Sequence, residues 1–321
     1  MHRFLFNVTL PWELPLIGRT LSVPMYGVML AVGAVAGTWL AARRAEKAGF
    51  SRQEVVDVAV YCVLLGVVGA RLFYVLEHFG YFSSSWRNFL HAFAIWEGGL
   101  VYYGGLILAV LYIAYHFMRK DNAWEELVKM WDLAAPSAMA GLAFGRLGCL
   151  FNGCCYGKPS GVPWALKFPR GSPIFADVTD PGSLVYQRYY HLAVEHGMTG
   201  GGAGRSFAVH PTQLYSAAAV FLIAGFLYWY WPRRKGNGEV GGLMLMLYCP
   251  FRFLVEFLRI NPATFSWAPL SIAQWVSIPA FLYGMYLVLG SRGIINPHWK
   301  ALHPLKEKEA GDTAGAQSSG Q

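Results

Sequence analysis

Seven long apolar stretches decide what this chain can fold into. They lie near residues 21–42, 55–78, 99–118, 127–150, 211–231, 241–260 and 270–290. Each runs for about 20 residues, which as a helix rising about 1.5 Å per residue crosses a hydrocarbon core of roughly 30 Å. In lipid an open chain satisfies its own backbone only as helix. The unbroken runs do not show the alternation of barrel strands of about 10 residues. Only 14% of residues are charged, against about 25% in soluble domains. The expectation is an all-α polytopic membrane protein of seven transmembrane helices, and soluble binding modules and disordered chains are excluded.

The basic residues fix an orientation. Arg43, Arg44, Lys47 and Arg52 follow the first stretch; Arg119, Lys120 and Lys129 follow the third. Arg233, Arg234 and Lys235 follow the fifth, and Arg292, Lys300, Lys306 and Lys308 the seventh. These connections hold fourteen of the 26 basic residues, while the second holds only Arg87 and 261–269 none. The positive-inside rule makes the rich set cytoplasmic, with the amino terminus outside and the tail inside. Topology and anionic lipid then account for much of the net charge of +8, and no nucleic-acid partner is needed. The first 20 residues lack the layout of a cleaved signal peptide. The fourth connection, about 156–209, is long and rich in Gly and Pro; it reads as an external insertion, with His191 and His196 solvated. Residues 1–304 are expected to form one integral-membrane domain, and 305–321 a disordered tail.

Ionisable groups within apolar spans are functional candidates, because each costs several kcal/mol there. In the sixth stretch Tyr248, Arg252, Glu256 and Arg259 recur at helical spacing, so they share one stripe. Its charge is +1, with one carboxylate able to hold a guanidinium and positive charge left for an anion. Arg is the residue whose planar fork fits phosphate. A structural ion pair is the competing reading.

The fourth stretch ends GRLGCLFNGCCYG, residues 145–157. Glycines flank Arg146, a second guanidinium near the outer end of a span, and Asn152 adds a neutral donor and acceptor. Asp132, earlier in that stretch, is given a structural role. Arg71 and Glu77 can pair with each other or with neighbouring helices. In WEGGLVYYGGL, residues 96–106, glycine pairs bracket Tyr102 and Tyr103 beside Glu97, either for packing or for a head-group contact. His210 opens HPTQLYS at the outer start of the fifth stretch, either as a helix-cap neighbour or as a site residue. Cys149, Cys154 and Cys155 lack the paired C-x₂-C spacing of a zinc site, so no metal is expected. A disulfide, a reactive thiolate and a role as small substitutes remain open. Cys62 and Cys249 read as small buried hydrophobes.

Taken together, PMYG at 24–27, GARLFYV at 69–75, WEGGLVYYGGL at 96–106, GRLGCLFNG at 145–153, HPTQLY at 210–215 and FRFLVEFLR at 251–259 resemble bacterial prolipoprotein diacylglyceryl transferase. The resemblance covers nearly the whole chain. It implies a seven-helix inner-membrane enzyme with a periplasmic amino terminus. Such an enzyme moves the diacylglyceryl group of phosphatidylglycerol onto the lipobox cysteine of a preprolipoprotein and releases glycerol phosphate. No cofactor is implied beyond the lipid donor. Arg146 matches the family's phosphate-binding arginine, Gly157 its motif glycine, and Tyr26 its first-span tyrosine. Tyr248, Arg252 and Glu256 match its sixth-span trio, and His210 its fifth-span histidine. The catalytic set implied is Arg252, Glu256, Tyr26, Tyr248 and Tyr103. The substrate-binding set is Arg146, Gly157, His210, Asn152, Cys149 and Cys154.

The chain departs from the family pattern at four places. Cys149 stands for an asparagine, Cys154 for an acid, Ser216 for a glutamate, and Tyr103 for the histidine proposed there as the thiol's base. Alternative readings are a related transferase with another acceptor, or a transporter of an anionic lipid or solute. The internal repeat many transporters carry is not evident.

Overall fold

The computed structural model describes residues 4–14, 18–94, 99, 101–168, 206, 208–259 and 270–295. Glu97, His191, His196, Arg170, Arg188 and Arg205, the connection 261–269 and the tail 305–321 lie outside the described residues.

Each apolar stretch is a helix, with ends within a few residues of those expected. They are α1 (Met25–Ala42), α2 (Arg52–Glu77), and, after the short α3 (Phe79–Ser83) and α4 (Trp86–His91), α5 (Tyr102–Met118). Then come α6 (Ala123–Asn152), α7 (Thr212–Tyr230), α8 (Glu239–Glu256) and α9 (Ile272–Ser291). Five of these, α1, α2, α6, α7 and α9, are long and apolar enough to cross a membrane. α5 is shorter, and α8 carries Glu239, Arg252 and Glu256 within 18 residues. Large apolar side chains such as Val35 and Leu222 are 71% and 75% exposed, as suits helices with lipid for solvent. One element was not expected from the sequence. Phe4–Leu14 (β1) and Gly18–Pro24 (β2) pair as a two-stranded sheet leading into α1, so the fold is mostly rather than wholly helical.

The chain forms two compact units. The first holds residues 1–6, 22–37 and 131–321, and the second 7–21 and 38–130. In the second, α2 packs on α5 through glycines. A Cβ at Gly69 would strike the Gly104 carbonyl, and one at Gly105 would lie 2.6 Å from the Gly66 carbonyl oxygen. Such close backbone approach is how helices associate where no hydrophobic force drives them together. Arg71 does not serve as a free site cation. It donates to the backbone carbonyls of Ala92 (2.8 Å), His91 (2.5 Å) and Gly99 (3.2 Å), which braces the entry to α5.

In the first unit α1 packs on α6 through Gly33, Gly37 and Gly141; Cβ atoms at Gly33 and Gly37 would lie 2.9 Å from the carbonyl oxygens of Gly141 and Ser137. α8 packs on α9 through Gly242 and Gly284. α8 starts after Gly238, whose φ of 89° suits glycine. The fully buried Asp132 of α6 accepts from the backbone N–H groups of Gly238 and Gly241, each at 2.8 Å. Asp132 thus anchors the start of α8, and the structural role expected for it is the one it plays.

Candidate active site

The first unit gathers most of the sequence-derived residues around the carboxyl-terminal end of α8. Arg252 and Glu256, one turn apart, form an ion pair in which Arg252 Nη1 donates to Glu256 Oε2. Arg259 Nη1 lies 3.8 Å from the same oxygen. The Glu256 side chain is only 3% exposed, those of Arg252 and Arg259 17% and 16%. A carboxylate this buried requires its charge to be paired. Arg259 Nε is buried without a hydrogen-bond partner among the described residues. Tyr248, two turns before Glu256, is within hydrogen-bonding reach of Arg146 on α6. Among the described residues Arg146 has no carboxylate partner. Among the described residues, two guanidiniums therefore meet one carboxylate, and a third, Arg146, stands beside Tyr248.

Tyr26, in the first turn of α1, has Cys149, Cys154, Cys155 and Arg146 as its titratable neighbours, and Gly148 lets it approach α6: a Cβ there would lie 3.0 Å from Tyr26 Cδ2. Tyr26 is 37% exposed. α6 ends at Asn152, whose side chain hydrogen-bonds the Cys154 thiol. The chain then reverses. Gly153 has φ 73° and Cys155 has φ 59°, a left-handed conformation uncommon for a residue with a Cβ. The HPTQ segment holds that turn. Thr212 Oγ1 donates to the Cys155 carbonyl and Gln213 Nε2 to the Cys154 carbonyl, both at 2.8 Å. The turn brings the sulfurs of Cys149, Cys154 and Cys155 within 4.8 Å of one another, all three as free thiols. Hydrogen bonds from the Cys149 and Cys154 thiols, and then the charges of Arg259 and Arg146, pull the Cys155 thiol below its ordinary range.

Gly157 follows, and its role is steric. Its N–H donates to the His210 carbonyl (3.0 Å) and Lys158 N–H to the Leu258 carbonyl (2.8 Å), so the strand-like segment threads between the start of α7 and the end of α8. A Cβ on Gly157 would lie 2.7 Å from both His210 Cβ and the Leu258 carbonyl oxygen. His210 contributes through its ring. Nδ1 lies 3.3 Å from the Tyr215 hydroxyl, to which Trp164 Nε1 donates at 2.6 Å. Burial lowers the His210 pKa, so the ring is neutral at neutral pH.

Arg252, Glu256, Tyr248, Arg146, Tyr26, Asn152, Cys149, Cys154, Gly157 and His210 thus belong to one unit and are linked by these contacts. Tyr103 belongs to the other unit, on α5, and is 60% exposed. The sequence reading left four contributors out of the candidate set: Arg259, Cys155, Thr212 and Gln213. Arg259, which lies three residues past the end of α8, was visible as the last member of the sixth-stretch pattern, and Cys155 as the neighbour of Cys154. Thr212 and Gln213 had no signal beyond their place in the HPTQ segment.

This arrangement sits in a chain with clear relatives. The family model for prolipoprotein diacylglyceryl transferase matches residues 15–290. A phosphatidylglycerol–prolipoprotein diacylglyceryl transferase of Nitratidesulfovibrio vulgaris is 34% identical over 278 residues, covering 84% of this chain and 89% of the relative. One from a Shewanella species is 34% identical over 84% of this chain and 88% of its own length. One from Clostridium tetani is 31% identical over 82% and 90%.

Proposed function

The chain belongs to the prolipoprotein diacylglyceryl transferase family, and on that premise we propose that it transfers the diacylglyceryl group of phosphatidylglycerol to a prolipoprotein in lipoprotein biosynthesis. The acceptor atom is the sulfur of the lipobox cysteine. The carbon–oxygen bond of the glyceryl group breaks, a carbon–sulfur bond forms, and glycerol phosphate leaves. The observation that carries this reading is the surplus of guanidinium over carboxylate, Arg146, Arg252 and Arg259 against Glu256.

Positive charge fixed in a low-dielectric site stabilises a departing phosphate without reorganising as the reaction proceeds. Arg146 and Arg252 clamp the phosphate, and Glu256 positions Arg252. Tyr26 and Tyr248 hydrogen-bond the donor lipid, and Tyr103 is assigned to the catalytic set from its motif position. Asn152, Cys149, Cys154, Gly157 and His210 form the wall on which the substrates lie. The chain spans the bacterial inner membrane seven times, with its amino end periplasmic, residues 156–209 as a periplasmic insertion, and its tail cytoplasmic. Residues 1–304 act as one membrane domain. The basic loops support this orientation, and reporter fusions at Lys47, Lys120, Arg234 and the tail test it: all four should report cytoplasm.

The activity is tested by expressing the chain in cells depleted of their own transferase and weighing a reporter lipoprotein. The expected result is a diacylglyceryl mass increase that requires phosphatidylglycerol and the reporter's lipobox cysteine. An unmodified reporter with the chain present in the membrane would overturn the reading.

A further inference from the structure

The three cysteines are free thiols, yet they are arranged as ligands. We propose that Cys149, Cys154 and Cys155 bind one Zn²⁺ ion through three thiolates, leaving a fourth position that takes the acceptor thiol. Sequence spacing argued against a metal because zinc sites usually pair their ligands as C-x₂-C. The fold supplies by geometry what spacing does not. Cys149 lies in the last turn of α6, and the left-handed Gly153 and Cys155 fold the chain back over it. The sulfurs come within 4.8 Å of one another. A tetrahedral zinc with bonds of about 2.3 Å requires sulfur separations of about 3.8 Å, so they need to close by no more than about 1 Å.

The support is built in. Thr212 and Gln213 hold the carbonyls of the two successive cysteines at 2.8 Å, which keeps Cys155 in its strained conformation. Outer hydrogen bonds of this kind orient a metal's ligands. Three thiolates around a divalent ion carry a net charge of −1, and Arg146 and Arg259 are the cationic neighbours of Cys155. Soft thiolate sets select zinc or copper(I) over harder ions. Among the described residues no fourth His, Cys, Asp or Glu joins the group. Three protein ligands with an open position is the pattern of a catalytic rather than a structural zinc. The acceptor's thiol would lose its proton to solvent on binding there, and its sulfur would form the carbon–sulfur bond as the glyceryl carbon–oxygen bond breaks and glycerol phosphate leaves. The metal site stands on geometry alone; the role of the fourth position rests on the transferase reading above.

The test uses the full chain in detergent micelles, reduced, desalted and titrated anaerobically with Co²⁺ as the optical probe. A thiolate-to-cobalt charge-transfer band should saturate at one ion per chain and be displaced by Zn²⁺. Cys149→Ser and Cys154→Ser should lose the band, and Cys62→Ser and Cys249→Ser should keep it. A lipobox peptide with one cysteine should shift the band, and the same peptide with serine should not. No band from protein whose five thiols all react with maleimide would overturn the site. So would thiols that, in a sample purified without reductant, become reactive only after reduction, which means a disulfide, or a preference for copper(I) over Zn²⁺. A band unmoved by the cysteine peptide would overturn the open position. Intact band and peptide shift without lipid transfer in cells would count against the transferase reading and leave the site standing. Full-rate transfer by the metal-free protein would remove the role and leave the transferase reading standing.

Discussion

The two ends of α8 carry similar residues to opposite purposes. At its amino-terminal end the acids Asp132 and Glu239, 1% and 0% exposed, are fully matched. Asp132 takes two backbone N–H groups, with Arg234 Nε 4.0 Å away. Glu239 accepts from Arg292 Nε (2.6 Å), the Tyr230 hydroxyl (2.8 Å) and the Lys235 backbone (2.5 Å), which ties α7, α8 and α9 together. Two carboxylates meet two guanidiniums there. At the other end, among the described residues, Arg252 and Arg259 share the one carboxylate of Glu256, and Arg146 beside Tyr248 adds a third guanidinium. A network whose charges balance stabilises a fold. One left with surplus positive charge is arranged for an anion that arrives from outside. Mutations at the two ends should therefore fail differently.

The largest effect should come from Arg252→Lys. Lysine keeps the charge but loses the planar fork, and removing one preorganised donor of this kind costs about a hundredfold in rate. Transfer to a reporter should fall by that order, with the thermal midpoint in micelles close to that of the native chain. A rate near the native one would reduce the Arg252–Glu256 pair to a structural contact and erase the contrast between the ends.

Gly157→Ala tests whether the carboxyl-terminal end also needs its tight packing. The added methyl meets His210 and the Leu258 carbonyl, and overpacking of this kind costs about 2 kcal/mol. The expected outcome is a lower midpoint together with slower transfer, because the displaced segment carries Cys154 and Cys155. A loss of stability with native turnover would place Gly157 outside the site.

The amino-terminal end should show the reverse of Arg252. Asp132→Asn keeps the shape but leaves one acceptor oxygen for the two N–H groups of Gly238 and Gly241, so one buried N–H faces an amide NH2, at a cost of about 2 kcal/mol. The midpoint should drop while turnover per folded molecule stays native. A fall in turnover without a fall in midpoint would make the two ends functionally alike.

This contrast was only half legible in the sequence. The helices were readable because apolar runs long enough for a membrane admit one backbone solution. The Tyr248–Arg252–Glu256 stripe was readable because helical spacing fixes its face. Asp132 anchors a helix more than a hundred residues away, and no local pattern records that. The clustering of Cys149, Cys154 and Cys155 depends on two left-handed residues, one of them a cysteine, held by Thr212 and Gln213 from another helix. Spacing rules assume ordinary turns, so they read this group as unsuited to metal. The β1–β2 pair was missed because the search for apolar runs gives no weight to short paired strands.

His210 should give the smallest effect, and it sharpens the charge count at the carboxyl-terminal end. If the ring were charged it would add to the positive surplus near the cysteines. Burial lowers its pKa, and the hydrogen bonds agree with a neutral ring. The Tyr215 hydroxyl accepts from Trp164 Nε1, which leaves its own proton to donate to His210 Nδ1; the imidazole proton then sits on Nε2. Protonating Nδ1 would break that bond. A base with a lowered folded pKa binds more protons when unfolded, so its contribution to stability is present above the unfolded value of about 6.5 and lost as pH falls through the lower folded value. The midpoint of the native chain should therefore fall slightly as pH drops below about 6.5, and His210→Gln should remove that part of the fall. Because the ring is partly exposed, the shift should be small beside that of Asp132→Asn. An acid-side gain in stability, removed by the same substitution, would mean that His210 is charged and that the positive surplus at this end is larger than three guanidiniums against one carboxylate.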